Sequence, residues 1–99
     1  MGWYISHGGT RHGYSYSGVD ELVHRCSGIL TRSDQRDVAA VMRPGSGDPF
    51  EVGPKQARKV GDALLLAAGY LPKEWADMAK QIGQSALRAA SANQPWAWS

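Results

Sequence analysis

"PKQARKVGDALLLAAGYLPKEW", residues 54–75, carries the punctuation of two helices and the turn between them. Pro54 suits the first turn of a helix, where its missing N–H is not needed. Ala57, Val60, Leu64, Ala67 and Ala68 then recur at helical spacing, and Gly69 supplies a stop. Pro72 opens a second, longer helix reaching about Asn93, with Trp75, Met78, Ala79, Ile82, Ala86, Ala89 and Ala90 on one stripe. Its opposite face is polar, with Asp77, Lys80, Gln81, Gln84, Arg88 and Ser91. Ala79, Gly83, Ala86 and Ala90 are small enough to let a neighbouring helix approach closely, and the short Gly69-Tyr70-Leu71 link makes the two helices an antiparallel hairpin.

Upstream, two shorter helices are expected. Ser17-Gly18-Val19-Asp20 is a variant of the capping box, followed by Val19, Leu22, Val23, Cys26 and Leu30 at helical spacing, which predicts a helix over residues 18–30. Asp20 and Glu21 sit in its first turn and His24 and Arg25 further on, as the helix dipole favours. Ser33 can cap a second helix over residues 34–43, with Val38, Val41 and Met42 inward and Pro44-Gly45 as its stop.

Three remaining segments, residues 2–6, 49–52 and 95–98, alternate with period two, pairing Trp3 with Ile5, Phe50 with Val52 and Trp96 with Trp98 on one strand face each. The expected architecture is therefore α+β and mostly α: one domain of four helices with a small two- or three-stranded sheet that joins the termini. Trp3, Trp96 and Trp98 should be sequestered there, and Trp75 should lie in the helical core.

Composition narrows the class. A chain of 99 residues supports one modest core. No apolar run approaches the roughly 18 residues needed to span a bilayer, so a soluble protein without membrane partners is expected. The start lacks the basic and apolar segments of a secretory signal, and the single Cys26 excludes an internal disulfide; both point to the cytoplasm. Met1-Gly2 with Ser6 formally matches an acylation signature, but Trp3-Tyr4-Ile5 reads better as a strand.

The loop "SHGGTRHGYSYSG", residues 6–18, concentrates side chains of chemical interest. His7, His12, His24 and Cys26 lie close in sequence, but their spacing does not form a zinc pattern and Cys26 belongs to an apolar stripe, so no metal is expected. Gly8, Gly9 and Gly13 with Arg11 and His12 could cradle an anion, although neither phosphate-loop spacing is present. No nucleophile motif appears, and the carboxylates sit mostly on polar helix faces, so neither catalysis nor a cofactor is expected. The apolar periodicities leave His7, Arg11, His12, Tyr14 and Tyr16 unclaimed, and Tyr and Arg are interface-prone; these five are the first binding candidates. Arg32, Arg36, Arg43, Lys55, Arg58 and Lys59 form a second, basic set suited to an anionic partner, with Asp34, Asp37, Asp48 and Glu51 interleaved.

Two resemblances add to this. Residues 63–72, ALLLAAGYLP, resemble a stretch near the end of helix-turn-helix domains in some actinobacterial regulators, without an identifiable recognition helix before it. Gly2-Trp3-x-x-Ser6-His7-Gly8, Asp48-Pro49-Phe50-x-Val52-x-Pro54 and Gln94-Pro95-Trp96-x-Trp98-Ser99 are similar to a family of small uncharacterised proteins of actinobacteria and their phages, which implies a grouping but no activity. The net charge of +2 is too small to imply nucleic-acid binding on its own. The expected function is thus a non-enzymatic binding module for a protein partner, regulatory or inhibitory. A nucleic-acid accessory using the basic cluster from Arg43 to Lys59 is the alternative, and a homo-oligomer is compatible with either.

Overall fold

The computed structural model describes residues 2–8 and 13–99, in the order β1 (Gly2–Trp3), β2 (Tyr14–Ser15), α1 (Tyr16–Cys26), α2 (Arg32–Met42), β3 (Phe50–Val52), α3 (Pro54–Ala68), α4 (Lys73–Ser91) and β4 (Trp96–Trp98). The α+β arrangement of four helices with small strand pairs at the termini is as the periodicities predict.

The hairpin of α3 and α4 starts and stops where the punctuation places it, with Pro54 in the first turn of α3 and Gly69 just past its end. Its two helices touch through glycine. A Cβ built on Gly61 would lie 2.9 Å from the carbonyl oxygen of Gly83 and 2.9 Å from the Leu87 side chain, closer than real carbon atoms come. Ala57, Leu64, Ala79, Ala86 and Ala89 are fully buried around that crossing.

The first two helices begin earlier than predicted. Ser15, rather than Ser17, caps α1: its backbone is extended and its Oγ accepts the Gly18 N–H at 2.9 Å. Thr31, rather than Ser33, caps α2, accepting the Asp34 N–H at 3.1 Å. In both cases a hydroxyl two residues upstream satisfies an orphan N–H, so the nearer serine is absorbed into the helix.

The sheet forms as two antiparallel pairs rather than one ribbon, β1 with β2 and β3 with β4. The N-terminal segment links them. Beyond β1, Tyr4 N–H donates to the Ser99 carbonyl at 2.7 Å, Ser99 N–H donates back to the Tyr4 carbonyl at 2.8 Å, and Ser6 N–H donates to the Ala97 carbonyl at 2.8 Å. Ile5 faces Trp98 in the middle of this ladder.

Aromatic rings fill the corner enclosed by these strands. Trp3, Trp96 and Trp98 are buried as expected. Trp3 stands edge-on to Phe50 at 5.3 Å and to Trp98 at 5.9 Å, and Trp98 stacks on Phe50 at 5.7 Å, within the range where such pairs attract. The Trp96 Nε1–H donates to Ser85 Oγ at 3.1 Å, and that hydroxyl donates to the Ile82 carbonyl at 2.7 Å, which accounts for the buried serine of α4. Trp75 departs from expectation: it is half-buried, with the Arg25 guanidinium 4.8 Å over its ring instead of a full core position. Cys26 is a free thiol inside the apolar cluster, and burial pushes its pKa up to about 11, as befits an inert packing residue.

Candidate functional site

The N-terminus of α1, the C-terminus of α2 and the glycine-rich loop over residues 44–47 leave an open groove of about 440 Å³ between them. The chain makes this groove from three local decisions. The Ser15 cap starts α1 early enough to bring Tyr16 and Ser17 into its first turn. Arg43 caps α2 and Pro44 follows it, and no proline can extend a helix smoothly, so the chain turns away there. Trp3 and Met42, both almost fully buried, close the floor.

The groove wall has a defined geometry. Tyr16 is 36% exposed, and its ring meets Trp3 edge-on at 5.1 Å. Its hydroxyl end rests against Gly47, where an added Cβ would come within 3.0 Å of the phenol oxygen. On the other side the Arg43 Nε–H donates to Asp20 Oδ1 at 2.8 Å, and Nη2 reaches the Asp20 carbonyl at 3.3 Å. Both side chains remain open to solvent, so the pair contributes little to stability, while it orients the guanidinium along the groove. Ser46 and Asp48 bond each other at the loop's outer edge, with Asp48 N–H donating to Ser46 Oγ at 3.3 Å.

The first candidate set does not form one surface. Tyr16 lines the groove, whereas Tyr14 turns toward α4, donating to Gln81 Oε1 at 2.7 Å above a small cavity of about 40 Å³ beside Ile82 and Ser85. Partial burial raises the Tyr14 pKa. His7 is half-buried with φ +59°, and its carbonyl accepts the Arg88 Nε–H at 2.7 Å, so its backbone serves as an anchor onto α4. Arg11 and His12 lie outside the described residues.

The basic set also divides. Arg43 is paired with Asp20 on the groove, while Lys55 and Lys59 surround a shallow depression that includes the Asp37 side of α2. Arg32, Arg36 and Arg58 are exposed. The structure therefore joins Tyr16 from the first set to Arg43 from the second, and adds Ser17, Asp20 and the loop over residues 44–47. Periodicity identifies Tyr16 and Arg43 singly as side chains outside the core, but their meeting across 27 positions of sequence depends on how α1 and α2 pack. Among the described residues, no three His, Cys, Asp or Glu side chains gather as metal ligands would. No described helix is long and apolar enough to cross a membrane.

Fold and groove together define a small α+β domain: a helical hairpin and two shorter helices, laced at the termini by paired strands, with an aromatic-walled groove on its surface. Residues 8–99 match the model of a family described as a domain of unknown function, DUF7739, and the chain belongs to that family. No curated protein and no solved structure matches it.

Proposed function

We propose that this protein is a non-catalytic binding module of actinobacterial or phage origin, acting in the cytoplasm by engaging a protein partner through the groove at Tyr16 and Arg43. The observation that carries this reading is the juxtaposition of a half-open tyrosine and an oriented arginine beside an apolar floor. Tyrosine and arginine are the side chains most often found to dominate binding at protein interfaces, because each buries area and still offers directional donors. The groove volume of about 440 Å³ falls within the range of ligand sites, yet it is open, as suits a segment of another chain more than an engulfed metabolite. Asp20 and Arg43 satisfy each other, which leaves neither placed as a free acid or base for chemistry.

Affinity capture with the wild-type protein and with a Tyr16→Ala, Arg43→Ala double variant tests this. The expected result is a partner protein retained by the wild type and reduced about tenfold or more by the variant, as loss of a hot spot implies, with the variant still unfolding in a cooperative thermal transition. Undiminished capture would overturn the assignment to the groove. Retention that collapses by several orders of magnitude between about 50 and 200 mM salt would instead indicate phosphate contacts, and so the nucleic-acid alternative through Arg32, Arg36, Lys55, Arg58 and Lys59.

A further inference from the structure

Building on the groove reading above, we infer that the occupant is an uncharged, proline-rich segment of a partner protein held in the polyproline II conformation. Electrostatics favour an uncharged occupant first. Among the described residues that line the groove the one cation is Arg43, which is paired with Asp20 at 2.8 Å, and Asp48 stands at the loop beyond. An anionic ligand would therefore approach a paired arginine past two carboxylates, and a cationic one would meet the guanidinium itself. A neutral segment meets neither penalty.

The remaining valences fit that segment's backbone. Arg43 uses Nε and Nη2 on Asp20; its Nη1 group, the Tyr16 hydroxyl and the Ser17 hydroxyl have no hydrogen-bond partner among the described residues. Polyproline II has the complementary need, because its carbonyls make no internal hydrogen bonds and proline brings no competing N–H donor. The tyrosine ring, fixed between Trp3 and Gly47, offers a preset aromatic face for a pyrrolidine ring. Aromatic-lined grooves recognise such segments by this combination, and the ligand loses little entropy because it is already extended.

The probe is a capped decaproline peptide titrated into the isotopically labelled full chain, followed by amide chemical shifts. The expected result is saturable shifts confined to Tyr16, Ser17, Asp20, Arg43 and the loop over residues 44–47, and little change in affinity between about 50 and 500 mM salt, since no phosphate-type contacts are released. Tyr16→Ala should weaken binding about tenfold. Should that variant fail to fold, Gly45→Trp serves the same purpose: a Cβ at Gly45 meets open space, so the indole obstructs the groove without displacing core atoms. Absence of saturable shifts at these residues, equal shifts from a glycine-serine peptide of the same length, or tighter binding of an aspartate-rich peptide would each overturn the proline-rich occupant. If decaproline fails while the groove variant still loses its captured partner, the occupant is overturned and the groove reading stands; if both fail, both are overturned.

Discussion

The aromatic corner and the α3–α4 crossing fill the same core by opposite means. At the crossing, two helices come together because Gly61 and Gly83 have no side chains, and no room remains for a single added carbon. In the corner, four large rings from distant parts of the chain lean on one another at centroid distances between 5.2 and 5.9 Å. Backbone contact is rigid and closed, whereas rings present edges as well as faces. The difference explains why the groove lies where it does: Trp3 belongs to the corner on one side and supports Tyr16 on the other.

The largest test of that contrast removes the corner's outer half. Deleting residues 95–99 takes away Trp96 and Trp98 and the backbone ladder to Tyr4 and Ser6. Each tryptophan lost from a core costs about 3–5 kcal/mol, and two such losses rival the 5–15 kcal/mol that holds a typical domain. The expected outcome is loss of the cooperative thermal transition by circular dichroism; an unchanged melting temperature would show that the helices stand without the corner.

At the crossing, Gly61→Val should destabilise by about 1–3 kcal/mol, the usual cost of overpacking. That corresponds to a drop of several degrees in melting temperature for a domain this size. Valine here would push on the Gly83 carbonyl, which is backbone and cannot swing aside. A variant as stable as wild type would mean that the helices can part cheaply, and that the two packing modes differ less than the distances imply.

A smaller effect is expected where the two regions meet. Ser85 of α4 accepts the Trp96 Nε1–H, so Ser85→Ala leaves that buried donor unsatisfied. The expected cost is about 1–2 kcal/mol, since a stranded buried donor loses its desolvation energy while alanine favours the helix slightly. Urea unfolding should show a lower midpoint with an unchanged slope. An unshifted midpoint would show that the serine merely fills space and that the corner is not tied to the hairpin by this bond.

The same division separates what the local sequence encodes from what only the assembled fold decides. Pro54, Gly69 and Pro72 mark the α3–α4 hairpin because local backbone chemistry decides those ends. The period-two pairs, Trp3 with Ile5 and Trp96 with Trp98, correctly place the three tryptophans inside, since alternation reports which face of a strand is buried. The starts of α1 and α2 are ambiguous in the local sequence: Ser15 and Ser17, like Thr31 and Ser33, are rival caps, and only the chain's path into the helix chooses between them. Trp75 sits on the apolar stripe of α4 but near its exposed first turns, where the Arg25 side chain of α1 covers its ring in place of apolar core side chains. The groove was legible only in its parts. Tyr16 and Arg43 stand out as interface-prone side chains, but nothing local to either predicts the other, and the apparent basic cluster is divided by the Arg43–Asp20 pair.

The hydrogen bonds between Tyr4 and Ser99 also set a timetable. Contacts between segments so distant in sequence form slowly, because a long loop must close before they yield any stabilisation. A ribosome adds about 5–20 residues per second, so Trp3 spends several seconds of synthesis without the Trp98 ring that will cover it. The helices can form from local sequence as they emerge. The aromatic corner must wait for the last strand, making its closure the step at which a nascent chain is most exposed to capture by a chaperone or by another unfinished copy.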